Sequence, residues 1–470
     1  MLFRMMRTHL GLVIAVSVLA APALASAQAD PTAAIQAAGQ LAREGRTLTA
    51  PQAAALENQL TTLPEDLSTR TRLLGYYFAA SLPAAGPDAT KAARRRHIVW
   101  MIEHHPEAEV ATLSEMTIDP SGHPLADADG YEQAKKAWIA ALARHKDNVR
   151  VQLHGAKFFR LPDRGLAIDC LKRAVALAPA DVSAATELGY TYAIAASGIT
   201  MINNNGLPMA ADPAQAASPF AQTAIADLRA STNPAVVSAG ANVLSQYGGM
   251  ARMMTNGQIN VDALSEELLK KASALDPADF SPPRALGELY KNRMLTATGD
   301  DARKALAKQR LAQEEIFFAR VSALKDPKAA DWKLAATAAV ARAAIDADDV
   351  DRAQRFADEL LAHGTGVRPL DGQFVHDGHS ILGRVALRRN NVAEARRQLL
   401  EAGKVTGGGT LTSFGPNMML AKELIEKGER ETVVSYLEAC RKFWPNPRLA
   451  EWIKTIQSGG TPEFGPNLNY

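Results

Sequence analysis

The run His376-Asp377-Gly378-His379 places two imidazoles and a carboxylate within four residues. On one face of a helix start these groups could approach a metal ion. A protein zinc site needs at least three firm ligands, and no third one accompanies them. Capping of the helix start is the other use for such a run. His104 and His105 stand before Pro106, where imidazoles can meet the last carbonyls of a helix and the negative end of its dipole. "DPSGHPLADADG" (119–130) mixes carboxylates with glycine, yet lacks the spacing and the closing Glu of a calcium loop, so it reads as a polar turn-forming segment. The Arg94-Arg95-Arg96 run reads as a solvated helix face. The metalloprotease H-E-x-x-H, the P-loop, the nucleophile elbow and a glycine-rich dinucleotide turn are all missing. No acid, base and nucleophile converge, so the expectation is a chain that is not an enzyme and takes no cofactor and no metal.

Charge narrows the partners. There are 52 basic and 50 acidic residues, a net charge of +2, which leaves no electrostatic footprint for nucleic acid. Residues 1–27 carry Arg4 and Arg7, an apolar stretch from Leu10 to about Ala21, and small residues at Ala25-Ser26-Ala27. This is the pattern of a cleavable signal peptide, and the apolar stretch is short for a membrane span of ~20 residues. No cysteine follows it for lipid attachment. The expected location is periplasmic or secreted, without stable membrane insertion. Cys170 and Cys440 both fall in helical patterns among apolar neighbours and are expected to be buried thiols.

Apolar residues recur at three- and four-residue spacing, and Pro, Gly and Asn punctuate the pattern. The expected helices run near 68–81, 89–105, 130–145, 148–160, 164–178, 182–196, 217–230, 233–246, 261–275, 280–295, 300–325, 330–346, 349–362, 377–389, 392–403, 416–427, 429–444 and 447–457. Three segments look irregular: 111–130, 197–217 with its "NNNG" turn signal, and the Gly-rich link near 404–417.

One stretch is written twice. "KRAVALAPADVSAATELGYTY" (172–192) matches "KKASALDPADFSPPRALGELY" (270–290) at Lys172, Ala174, Ala176, Leu177, Pro179, Ala180, Asp181, Ser183, Leu188, Gly189 and Tyr192, each 98 positions ahead of its partner. One helix ends at the proline, Asp and Ser supply cap chemistry, and a helix bearing L-G-x-x-Y follows. Gly155 and Phe158 stand 34 residues before Gly189 and Tyr192, with Ala167-x3-Leu171-x2-Ala174-x4-Pro179 between them. Leu74-Gly75, Ala134-x3-Trp138, Ala353-x3-Ala357 and Leu382-Gly383 are more worn copies. Small residues let two helices approach, and large ones fill the space that remains. One hairpin cannot bury its apolar face alone, so it stacks on the next.

This spacing and pattern resemble the tetratricopeptide repeat, a helix–turn–helix unit of about 34 residues. Stretches at both ends, among them 94–109, 117–138 and the C-terminal "GHSILGRVALRRNNVAEARRQLLEAGKVTG", look similar to exported bacterial tetratricopeptide proteins. The resemblance implies an all-α fold, a right-handed α-solenoid of stacked hairpins. The domain reading is a signal peptide (1–27), a helical or linker segment (28–66), the solenoid (67–457, with an insert near 197–217 and a Gly-rich link at 404–415) and a tail (458–470). The resemblance transfers no activity. It implies a scaffold whose concave groove, formed mainly by first helices, binds a protein or peptide. Groove positions are then Gln152, Phe159, Arg160, Thr186, Tyr190, Arg284, Glu288, Lys291, Asn292, Arg384 and Arg388. They lean basic with aromatic surface, so the expected partner segment is acidic. The family's Lys/Asn clamp for terminal carboxylates is not reproduced, since its asparagine position holds Ala156, Tyr190, Glu288 and Arg384. A carbohydrate- or envelope-polymer-binding module and an enzyme with a helical cleft stay open as other readings. "FGPN" recurs at 414–417 and 464–467, and the second copy is expected to fold back as a cap on the last hairpin.

Overall fold

The computed structural model describes residues 31–81, 88–119, 124–202, 207–363 and 371–469. The segment read as a signal peptide and the "NNNG" turn (203–206) lie outside them. The chain divides into an N-terminal unit, up to Leu275, and a C-terminal unit, from Asp276.

The N-terminal unit contains α1 (Pro31–Arg46), α2 (Ala50–Thr62), α3 (Leu67–Ala80), α4 (Asp88–His104), α5 (Ala128–Arg144), α6 (Val149–Phe159), α7 (Arg164–Leu177) and α8 (Val182–Ala196). A two-stranded hairpin, β1 (Ile199–Ile202) and β2 (Pro208–Ala211), follows, then α9 (Pro213–Ala216), α10 (Pro219–Ala230), α11 (Pro234–Met254) and α12 (Asp262–Leu275). The C-terminal unit contains α13 (Ser281–Thr296), α14 (Asp300–Ser322), α15 (Ala330–Asp346), α16 (Val350–His363), α17 (Asp371–Arg388), α18 (Val392–Ala402), α19 (Thr410–Phe414), α20 (Met419–Glu426), α21 (Arg430–Cys440) and α22 (Arg448–Gln457). Within each unit the main contacts join helices close in chain order: α6 with α7, α7 with α8, α14 with α15, α16 with α17. Both units are therefore all-α stacks of helical hairpins, the architecture that the repeated residues imply.

The helix starts follow their capping chemistry. Asn148 accepts from the amides of Arg150 (3.0 Å) and Val151 (3.3 Å), and Asp181 from Ser183 (2.9 Å) and Ala184 (3.2 Å). Pro219 and Pro234 open α10 and α11, where a missing N–H costs nothing. The small residue of L-G-x-x-Y has a measurable purpose. A Cβ at Gly189 would lie 2.1 Å from the carbonyl oxygen of Val236, so α8 and α11 cross nearly backbone to backbone. Leu188 and Tyr192 fill the flanks of that crossing, both buried.

Four differences from the sequence expectation have physical causes. Helices α1 and α2 are Ala-rich and weakly apolar, and α1 is held by tertiary packing: a Cβ on Gly75 of α3 would meet the Ala42 carbonyl at 2.0 Å. Helix α11 continues to Met254, keeping Gly248 and Ala251 buried on its inner face. Helix α17 begins at Asp371, because Phe374 extends its buried face upstream. The described part of the 197–217 insert holds the antiparallel pair β1 and β2, joining Ile199 to Ala211 and Met201 to Ala210, and then the short helix α9.

The tail packs as the echo of "FGPN" suggests. The Asn467 side-chain amide donates to the carbonyls of Phe414 (3.1 Å) and Pro416 (3.0 Å), and the Asn467 carbonyl accepts from the Met418 amide (2.8 Å). Phe464 is buried edge-on against Trp452, 5.0 Å between ring centroids. Cys170 and Cys440 are buried free thiols, each pushed up to about 12 chiefly by burial. Among the described residues no helix is long and apolar enough to cross a membrane.

Candidate binding groove and the buried charge network

Helices α6 and α8 both begin at capped turns that aim their first residues into a common space. That space is a groove of about 1250 Å³ within the N-terminal unit. Arg150, Leu153, His154 and Lys157 line it from α6, and Ser183, Glu187 and Thr191 from α8. Glu109 and Thr112 close one wall from the segment 109–112, a short 3-10 helix. His154 is buried and its Nδ1 lies 2.9 Å from the Pro106 carbonyl, which fixes the proton on that nitrogen; burial holds its pKa below the usual histidine range. Lys157 donates to the Thr112 carbonyl at 2.7 Å. Its stem is open to the groove, while its ammonium lies among enough protein atoms that burial lowers its pKa. Arg160 lies over the Tyr190 ring at 5.5 Å and 3.8 Å from Glu187, beyond hydrogen-bond reach.

A second cavity of about 200 Å³ adjoins this groove. Thr112, Lys157 and Arg160 line both. Its walls are Leu113, Met116 and Ile118 from the segment after α4, with Tyr131, Trp138, Phe158, Leu161 and Pro162.

Of the expected groove positions, Arg160, Thr186 and Tyr190 are half-buried on α8 or at the end of α6, and Arg160 alone of these lines the groove. Gln152 and Phe159 do not belong there. Gln152 is buried and reaches the carbonyls of His145 and Lys146, both at 3.4 Å, and Phe159 is a core residue with no exposed surface. On an 11-residue helix packed on both sides, the apolar face is wider than a single inward stripe, and it takes in both positions.

The C-terminal positions tell a different story. Arg284 is exposed over the Trp332 ring (5.1 Å), Asn292 is exposed, and Glu288 pairs with Lys291 at 2.5 Å. Arg384 is held between Asp346 (3.2 Å) and Glu423 (3.1 Å), and Arg388 between Asp348 (3.4 Å) and Glu423 (3.5 Å). At Arg384 and Arg388 the expected basic surface is thus already neutralised by carboxylates of neighbouring hairpins. The same network continues through Arg310–Asp346 (2.8 Å) and Arg342–Asp377 (2.6 Å). Burial raises Glu314; Arg310 opposes that rise and Glu288 adds to it, and the result is about 7. Gly287, the glycine of the second L-G-x-x-Y, makes room for this carboxyl: a Cβ there would meet Glu314 Oε1 at 2.4 Å.

The histidine run is dispersed along α17, inside the helix rather than at its start. His376 Nε2 lies 2.8 Å from the Tyr436 hydroxyl, Asp377 accepts from Arg342, and His379 Nδ1 lies 2.7 Å from Gln398 Oε1. Among the described residues no group of three or more His, Cys, Asp or Glu is placed to hold a metal ion. Arg94 is not a solvated residue: it is buried, donates to the carbonyls of Thr117 and Ile118, and its pKa is lowered to about 10 by burial. Reading by residue type alone missed Arg310, Glu314, Arg342, Asp346 and Glu423. A usable signal was present, because Arg310–Asp346, Arg342–Asp377, Arg384–Asp346 and Arg384–Glu423 are 36, 35, 38 and 39 residues apart, about one repeat.

Stacked helical hairpins, with an open groove in one unit and a closed ionic network in the other, define a helical-repeat architecture. No family model matches the chain, and no curated protein matches it. Among solved structures it is similar to a monomeric mutant of IFIT1 with Gppp-AAAA, at 13% identity, over 90% of this chain and 99% of that one, with a TM-score of 0.29. A score that low carries no conclusion about fold or ligand, and the fold rests on the helix contacts above.

Proposed function

We propose that this chain is an exported, non-catalytic scaffold of the tetratricopeptide-like kind, which holds a segment of another protein in the groove between α6 and α8. The observation that carries this reading is the groove itself: about 1250 Å³, faced by polar side chains of two successive repeat helices. Lys157 and Arg160 put two cations on one wall, while Glu107, Glu109, Asp147, Asp181 and Glu187 also line the groove, so a mixed-charge segment fits it. Arg384 and Arg388 lose that role because their carboxylate partners are built in. The proposed location, periplasmic or secreted, rests on residues 1–27.

A photo-crosslinking amino acid placed at Leu153 or Glu187 in the producing cell tests the reading. A discrete protein adduct at the groove positions, absent from a control at exposed Glu451, is the expected result. Adducts at neither groove position would overturn it.

A further inference from the structure

The 200 Å³ cavity beside the groove joins two repeat positions, Trp138 and Phe158, to a segment outside the repeats. One wall comes from the irregular segment after α4, and the other from α5, α6 and the turn that follows. Its floor is Met116, Ile118, Tyr131 and Trp138, all buried, while Leu113, Phe158, Leu161 and Pro162 are half-buried around the mouth. Phe158 stacks on Tyr131 (5.4 Å between centroids, 9° between planes) and tilts on Trp138 (6.2 Å), which makes a rigid aromatic wall. The Tyr131 hydroxyl is already engaged by Asp163, so the wall's polar atom is satisfied by the protein.

By liquid volume such a cavity holds on the order of six waters. Apolar and aromatic walls give them few partners, so replacing them with an apolar group is favourable. The charged groups at the mouth say what should accompany that group. Lys157 uses one N–H on Thr112, and Arg160 has no carboxylate within hydrogen-bond distance. Asp119 is the only carboxylate among the described residues lining the cavity.

We propose that this cavity is an anchor subsite for one large apolar side chain, preferably aromatic, whose adjacent carboxylate is bound by Lys157 and Arg160. This rests on the groove being a peptide site, and it specifies the recognised sequence: Phe, Tyr, Trp or Leu next to Asp or Glu. Two cations on the wall shared by both spaces make the junction a single recognition point. An aromatic anchor also gains from the Phe158–Tyr131 wall beyond simple burial.

The test uses the full chain and a phage-displayed random dodecapeptide library. Selected sequences are made as fluorescein-labelled peptides and titrated against the parent protein and four variants. Leu161→Trp and Ala111→Phe fill the cavity from opposite walls, Lys157→Glu reverses the shared cation, and Ser183→Trp obstructs the groove away from the cavity. Melting curves show which variants are folded. The expected result is an enriched pair of large apolar and acidic residues. Changing the peptide's anchor to Ala should weaken binding at least tenfold, as should either folded cavity variant and Lys157→Glu. Peptides that lose affinity with Ser183→Trp but ignore the anchor change and the cavity variants would overturn the subsite and leave the groove reading standing. No enrichment, or binding indifferent to all four variants, would overturn both.

Discussion

The groove between α6 and α8 and the ionic network of α14, α15, α17 and α20 use the same hairpin grammar and treat charge in opposite ways. In the N-terminal unit, Lys157 and Arg160 are carried to open space, with a backbone carbonyl or a ring face as support. In the C-terminal unit, Arg310, Arg342 and Arg384 run into carboxylates from the next hairpin. A cation with no hydrogen-bonded carboxylate, as Lys157 and Arg160 are (Glu187 stands 3.8 Å from Arg160), keeps donors to offer, while one held between two carboxylates is part of the frame. Position within a repeat does not separate the two cases. What separates them is whether the neighbouring repeat carries an acid about one period away.

The largest test of this contrast removes one cation from each unit. Arg384→Met removes a buried cation shared by Asp346 and Glu423, which keep Arg310 and Arg388, and should cost about 2–3 kcal/mol, read by urea unfolding. Arg160→Met should change stability by less than about 1 kcal/mol yet weaken peptide binding. Equal stability losses would erase the distinction drawn here.

The second test is pH, where one carboxyl in each unit, Glu314 and Glu57, should contribute with opposite sign. Glu314 titrates near 7 when folded against an ordinary 4.5, so the folded state holds its proton longer. Its contribution to stability is full below 4.5 and falls by up to about 3 kcal/mol as pH rises through 7. Glu314→Gln should flatten that slope. In the N-terminal unit, burial pushes Glu57 up, but hydrogen bonds from His97 and Tyr77, with the His97 and Arg96 charges, bring it down to about 2. That contribution is complete above 4.5 and is lost as pH falls towards 2. Hydrogen exchange followed separately on α14 and on α2–α3 resolves the two profiles.

The third compares the two motif glycines. At Gly189 an added methyl meets backbone, and at Gly287 it meets the end of the Glu314 side chain. Gly189→Ala should therefore cost about 2–3 kcal/mol and Gly287→Ala about 1 kcal/mol, by urea midpoint. A reversed order would mean that the buried network is stiffer than the α8–α11 crossing.

The smallest concerns the C-terminal cap alone. Asn467→Ala removes the side-chain bonds to Phe414 and Pro416 and should cost about 1 kcal/mol, with faster exchange at the start of α20 and none at α6. Loss of protection at α6 would show that the units do not respond independently.

Much of the helical order was legible in one dimension. The caps at Asn148 and Asp181, the proline starts of α10 and α11, and the small-and-large pattern at Leu188, Gly189 and Tyr192 act within a few residues of themselves, so periodicity reveals them. Helix α1 was not legible, because its stability comes from Gly75, about thirty positions later in the chain. The β-ribbon at 199–211 was hidden by its short strands. Of the candidate site, Arg160 was readable as a surface cation at a repeat position, whereas Gln152 and Phe159 were misplaced by one helical face.

The sequence by itself determined that this chain would stack helical hairpins, because a repeated pattern of small and large residues can be buried in few other ways. It also determined where most hairpins turn. Only the tertiary structure decided which charges face open space and which face each other. That choice depends on pairs about 35 to 39 residues apart meeting across a helix–helix contact, and on an irregular segment closing a cavity against the repeat residues Trp138 and Phe158. Spacing along the chain sets which side chains share a helix face. Distance in space sets whether a charge is already satisfied.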